Sequence, residues 1–247
     1  MNSFKILGVP VHPYTMDSVV KELDKRIEAQ EQTFVVTANA EIIMNCQEDK
    51  VYYDIVSNAE VILPDGAGAV WAGRHLGNTV PERVAGFDLY LELMYLCAKK
   101  GYKAFFFGSA PGVADVAKEV CEKRYPGVQI VGCRNGYFKD SDVPGIVEEI
   151  NKSGAQLLFA ALGAPKQEKW LSTFRNQLNP IVLMGIGGSF DVLAGKMERA
   201  PKWMQDASLE WLFRLYKQPS RFMRMMALPK FAFTVLLHGR RYKQEEK

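Results

Sequence analysis

Five short stretches carry the residue types able to do chemistry. Pro64-Asp-Gly-Ala-Gly68 places a carboxylate, Asp65, beside two glycines that let a substrate approach the backbone. Asp65 can therefore serve as a general base on a sugar or alcohol hydroxyl, although Pro-Asp-Gly is also ordinary turn chemistry. Gly108-Ser-Ala-Pro-Gly112 leads into a helix and can hold phosphate on free backbone N–H groups at the positive helix end. Gly185-Ile-Gly-Gly-Ser-Phe-Asp191 can let a nucleotide lie against the backbone at Gly187, and Asp191 is a rival base to Asp65. Thr37-Ala-Asn39 and Gly163-Ala-Pro-Lys-Gln-Glu168 add a hydroxyl, two amides and a cation. Of these, Lys166 suits phosphate and Gln167 suits sugar hydroxyls, whereas Glu168 in a first helical turn is ordinary dipole complementation and Trp170 reads as core. Arg83, Arg199, Arg214, Arg221 and Arg224 are candidate phosphate contacts because a guanidinium offers a fixed fork of donors, though any one alone is equally a solvated surface residue.

Several familiar patterns are missing. Neither glycine-rich loop matches the dinucleotide fingerprint or the P-loop, and there is no G-x-S-x-G and no histidine cluster. A bound nucleotide diphosphate would then have its charge offset by backbone amides and Lys or Arg. No metal and no cofactor is expected.

The elements that must position these residues alternate. An opening hairpin is expected from Phe4 to Leu7 and Val11 to Pro13, then a helix capped by Asp17 through Ala29, a strand Thr33 to Thr37, a helix from Glu41 and a strand Glu60 to Leu63. Strands Lys103 to Phe107, Val128 to Cys133, Gln156 to Ala161 and Pro180 to Met184 follow, separated by helices Val113 to Tyr125, Val143 to Lys152 and Lys166 to Asn176. The alternation predicts an α/β fold, a Rossmann-like, mainly parallel sheet with helices on both faces. Ligands then sit at the carboxyl ends of the strands, where the stretches above fall.

Residues 1–195 form this α/β domain, and 196–247 are expected to be a basic, amphipathic helical appendage. The appendage carries 12 Lys and Arg against 5 Asp and Glu, leaving the body mildly acidic within a net charge of +3. Met204 to Lys217 reads as one amphipathic helix, and Arg221, Arg224 and Arg240 are interleaved with Phe, Met and Leu. Cations among apolar side chains suit a helix lying in lipid headgroups, so a membrane surface is the expected partner and nucleic acid is not. The appendage's apolar face could alternatively be buried in a homo-oligomer.

With 247 residues, 48% hydrophobic and 24% charged, the chain has the composition of a folded protein with a sizeable core. No apolar run is long enough to span a membrane, and Pro10, His12 and Pro13 stand where a signal peptide would be apolar. Cys46, Cys97, Cys121 and Cys133 have no metal-ligand spacing and read as reduced core thiols, which suits a cytoplasmic location.

The ordered set Pro64 to Gly68, Glu82-Arg-Val-Ala-Gly-Phe-Asp88, Gly108 to Gly112, Gly163 to Trp170, Gly187 to Asp191, Arg199-Ala-Pro201, Glu210 to Leu215 and Pro219-Ser-Arg221 resembles the bacterial WecG/TagA/CpsF-type glycosyltransferases over nearly the whole chain. The short length and basic tail look most like the branch that builds the teichoic acid linkage unit in cell wall biogenesis. That resemblance implies inverting, metal-independent transfer of N-acetylmannosamine from its UDP form to the 4-hydroxyl of N-acetylglucosamine on undecaprenyl diphosphate, at the inner face of the cell membrane. It implies Asp65 as base and Thr37, Asn39 and Gln167 as sugar-orienting groups. Arg214, Arg221 and Arg224 would meet the acceptor diphosphate. Two alternatives stay open: the same family with another UDP-sugar, such as a uronic acid, and a membrane-tethered nucleotide-binding regulator that does no chemistry.

Overall fold

The computed structural model describes residues 3–207, 209–217, 219 and 222–238. In chain order it contains strands β1 (Phe4–Ile6) and β2 (Val9–Val11), helix α1 (Met16–Glu28), β3 (Thr33–Ala38), α2 (Ala40–Glu48), α3 (Lys50–Ser57), β4 (Val61–Pro64), α4 (Gly66–His75) and α5 (Gly86–Lys100). It continues through β5 (Lys103–Gly108), α6 (Val113–Arg124), β6 (Gln129–Arg134), α7 (Val143–Lys152), β7 (Leu157–Ala161), α8 (Lys166–Phe174), β8 (Val182–Gly185) and α9 (Ser189–Leu193). Four further helices close it: α10 (Lys202–Asp206), α11 (Glu210–Lys217), α12 (Phe222–Met225) and α13 (Ala227–His238).

Strands β3 to β8 form one six-stranded parallel sheet in the order β4-β3-β8-β7-β5-β6. Its inner strands, such as Phe34-Val-Val36 and Leu157 to Ala161, are buried on both faces, which is why they read as continuous apolar runs and not as alternation. One face is covered by α1, α5, α6 and α9, and the other by α2, α3, α4, α7, α8, α13 and the β1–β2 hairpin. The α/β architecture with helices on both faces is as expected.

Two helices between β4 and β5, α4 and α5, are absent from the sequence reading, and the other differences from expectation are local. The hairpin turns at Leu7-Gly8, both with positive φ as a two-residue turn requires, so its second strand begins at Val9 and not Val11. Thr15 caps α1, accepting from the Ser18 N–H in a reciprocal capping box, so Asp17 is a first-turn residue and not the cap. Met204 to Lys217 is two helices, α10 and α11.

Two features of the topology prepare the site. The chain leaves β5 through α6 toward β6 at the sheet edge, whereas it leaves β7 through α8 in the opposite sense, toward β8. A crevice opens where such connections diverge. Gly108 ends β5 with φ +128°, and a Cβ there would stand 2.4 Å from the Ala161 carbonyl oxygen. Only glycine lets the end of β5 lie this close to β7.

Candidate functional site

A cleft of about 850 Å³ occupies that crevice. Ser109 and Ala110 after β5, Gly136 to Lys139 after β6, Ala161 to Gly163 and Lys166 after β7, and Gly187, Gly188 and Asp191 after β8 line it. The predicted residues Gly108, Gly187, Gln167 and Asp191 are therefore gathered at or beside one cleft. Ser109 Oγ donates to Asp191 Oδ2 at 3.0 Å, joining the β5 loop to α9. Asp191 is thus part of the wall and already holds one neutral donor. Ser109→Ala should raise the KM for a ligand in this cleft about fivefold to tenfold, the equivalent of roughly 1 kcal/mol. An unchanged KM in initial-rate measurements would show that the Ser109–Asp191 contact does not shape the ligand site.

Gln167 is 5% exposed, its Oε1 accepting from the Gly187 N–H at 3.0 Å and its Nε2 donating to Glu168 Oε1 at 2.7 Å. The residue expected to bond sugar directly is committed to the protein on both sides of its amide.

Asp65 lies at the other end of the sheet. It follows β4 directly and stands at the N-cap position of α4 without a side-chain capping bond to that helix. Its backbone N–H donates to the Ala38 carbonyl at 3.1 Å, and its Oδ2 accepts from the Gly86 N–H at 3.4 Å. A Cβ on Gly86 would stand 2.8 Å from Thr37 Oγ1, so the start of α5 presses against the Thr37 hydroxyl. Thr37 and Asp65 are consequently held by the same backbone segment. Asn39 caps α2, its Oδ1 accepting from the Ile42 N–H at 3.0 Å. At about 4.8 Å per strand, three strand spacings put β4 roughly 14 Å from β7, so Asp65 and the crevice are the two ends of one row of loops.

Cations gather on the Asp65 side. Arg199 makes a two-pronged ion pair with Asp88 on α5, at 2.6 and 2.8 Å, and lies over the Phe87 ring. Burial opposes its charge, but bonded Asp88, with Glu210 and Asp65, outweighs that and holds its pKa above the ordinary guanidinium value. Glu210 at the start of α11 lies 4.0 Å from Arg199 Nε and 3.8 Å from Arg83 Nη1. It joins Arg199, at the start of the appendage, to Arg83 of the body. Arg199→Lys should lose about 1.5–3 kcal/mol of stability, because an ammonium cannot reproduce the fork on Asp88. Thermal denaturation tests this, and an unaltered midpoint would make the pair dispensable.

Asp88, Glu210 and Ser109 have no role of their own in the sequence reading, and Glu168 reads there as dipole complementation. Asp88 and Arg199 are 111 residues apart in the chain, a distance no local pattern signals. Arg221 lies outside the described residues, and for Arg214 and Arg224 only the backbone is described, within α11 and α12. Cys46, Cys97 and Cys121 are buried and Cys133 half-buried, all free. Burial pushes the Cys46 thiol up to about 12, so it is no nucleophile.

The comparisons bear on what this row of loops does. The sequence profile of the glycosyl transferase WecG/TagA/CpsF family matches residues 4–245. The chain belongs to that family. Three curated relatives carry the name N-acetylglucosaminyldiphosphoundecaprenol N-acetyl-beta-D-mannosaminyltransferase. The one from Bacillus subtilis strain 168 is 34% identical over 237 residues, covering 96% of this chain and 92% of its own. That from Bacillus spizizenii is 36% identical over 214 residues, 87% and 82%. That from Staphylococcus aureus strain MW2 is 31% identical over 242 residues, 97% and 94%. As a WecG/TagA/CpsF family member the chain is a glycosyltransferase. No described helix is long and apolar enough to cross a membrane.

Proposed function

We propose that the chain transfers N-acetylmannosamine from UDP-N-acetylmannosamine to the 4-hydroxyl of N-acetylglucosamine on undecaprenyl diphosphate, inverting the anomeric carbon and using no metal ion. One observation carries this reading: relatives bearing the corresponding name match nearly the whole chain.

The mechanism follows from the two ends of the row. The nucleotide lies in the crevice, where the loops after β5, β7 and β8 and Lys166 offset the charge that grows on departing UDP. Asp65 takes the proton from the acceptor hydroxyl as its oxygen forms the new bond to the anomeric carbon. The bond from that carbon to the UDP oxygen breaks, and UDP leaves with the electron pair. Thr37 and Asn39 orient the reacting sugars beside Asp65, and Gln167 shapes the loop against which the donor lies. Arg83 and Arg199 supply positive charge near the reacting centre.

Residues 196–247 act as an appendage that docks on the cytoplasmic face of the membrane. Trp203, Trp211, Tyr216, Phe222, Phe233 and Leu236 are exposed apolar side chains on its helices, the composition a headgroup-level surface needs. Arg214, Arg221 and Arg224 are assigned to the acceptor diphosphate. The test is to incubate the protein with a panel of UDP-sugars and a lipid-linked N-acetylglucosamine diphosphate, with and without chelator, and to follow UDP release. Turnover of UDP-N-acetylmannosamine that persists in chelator is expected. Preference for a uronic-acid donor would move the assignment within the family, and loss of activity in chelator would overturn the metal-free mechanism.

A further inference from the structure

The mechanism leaves one almost fully buried carboxylate without a task. Glu168 is 2% exposed, in the first turn of α8. Its Oε1 accepts from Gln167 Nε2 at 2.7 Å, and its Oε2 accepts from the hydroxyl of fully buried Tyr52 on α3 at 3.1 Å. Gln167 passes the connection on by accepting the Gly187 N–H. It also occupies the space beside Gly185, where a Cβ would stand 2.5 Å from its Nε2. One hydrogen-bonded chain therefore runs from α3 through two buried side chains to the β8 loop that lines the crevice.

The polarity of that chain is fixed at its two ends, by the Gly187 N–H, which can only donate, and by Glu168. A side-chain amide has two ends of nearly equal shape, and nothing in its packing tells oxygen from nitrogen. Both Glu168 oxygens accept, from Gln167 and from Tyr52, so Glu168 and the Gly187 N–H together select the Gln167 orientation with nitrogen toward Glu168 and oxygen toward Gly187. In the reversed orientation the Gly187 N–H would face an NH₂ group and the β8 loop would lose its tether. Burial raises the Glu168 pKa, an effect opposed by the bonds from Gln167 and Tyr52.

We propose that Glu168 is a positioning residue for glycosyl transfer: by fixing the orientation of the Gln167 amide it holds the Gly185–Gly188 loop in place against the sugar-nucleotide donor. This rests on the assignment of the crevice to the donor. The effect is specific to one substrate, because the loop lines the crevice and the acceptor's base, Asp65, is at the far end of the row.

Glu168→Gln keeps the volume and removes Glu168's share of the enforced polarity. It should raise the donor KM about tenfold and lower kcat by a similar factor, the scale expected when a supporting contact is misplaced, while the acceptor KM moves less than about twofold. In a Gln167→Ala background the same substitution should add almost nothing. Gly185→Ala perturbs the same lever from the other side, pushing on Gln167 without touching Glu168, and should reproduce the donor-selective rise even if the Glu168 variant does not fold. Equal shifts in donor and acceptor KM, additivity with Gln167→Ala, or an unchanged donor KM in Gly185→Ala would each overturn the proposal. A wild type that turns over UDP-sugars alongside a kinetically silent Glu168→Gln removes this proposal alone. A wild type without such turnover removes the functional reading as well.

Discussion

Replacing Asp65 by Asn is expected to lower kcat by about 10²–10⁴-fold, the usual worth of a positioned general base, while leaving donor affinity nearly unchanged. The substitution suits the question because an Asn oxygen can still accept from the Gly86 N–H as Asp65 Oδ2 does at 3.4 Å, so that contact is retained while the basicity is lost, together with the charge that Asp65 contributes toward Arg199. On the proposed assignment, donor affinity is set in the crevice, several strands away, and should not respond. UDP release with the lipid-linked acceptor measures the first quantity and calorimetry with UDP the second. A loss below tenfold would pass the role of base to Asp191, and Asp191→Asn should then show the large effect instead. Weakened UDP binding would place Asp65 on the nucleotide.

Phe231→Ala is expected to cost about 3–5 kcal/mol, the range for deleting a buried aromatic side chain. Phe231 is 1% exposed on α13, with its ring edge 3.6 Å from where a Cβ of Gly68 would stand. Val235, one turn later, is equally buried, and α13 packs on α2 and α4. The Lys230–Glu48 ion pair beside it is exposed and contributes little. Since α13 is the last described element and covers one face of the core, the loss should appear first as opening of this helix, before global unfolding. Amide exchange would register it as lost protection across 227–238 and in the first turns of α4. Turnover with the lipid-linked acceptor should fall with it, because Asp65 opens α4. Retained protection at 227–238 would mean that the helix is anchored elsewhere.

The buried strands were readable because a parallel sheet covered on both faces needs uninterrupted apolar runs, as in Lys103 to Phe107 and Gln156 to Ala161. The strand-end residues were readable for the same reason: Asp65 follows β4 directly, Thr37 is the penultimate residue of β3, and Asp191 comes soon after the end of β8. Helix α4 was not, because Gly66, Gly68 and Gly73 suggest a loop, and its helical state depends on packing against α13 and β1 that no local pattern encodes. The burial of Phe231 was equally hidden. Phe233, Leu236 and Leu237 on the same helix are exposed, and only the partner surface at Gly68 distinguishes it from them. Glu168 looked like a dipole-complementing first-turn residue, and its different surroundings depend on Tyr52, 116 positions earlier.

The separation of Asp65 at β4 from the crevice at β5 and β7 has an evolutionary corollary. On the proposed assignment, substitutions in the loops around the crevice can retune which nucleotide carrier is accepted without disturbing the carboxylate that deprotonates the incoming alcohol. One scaffold can thereby diversify its donors while keeping a single way of making the bond.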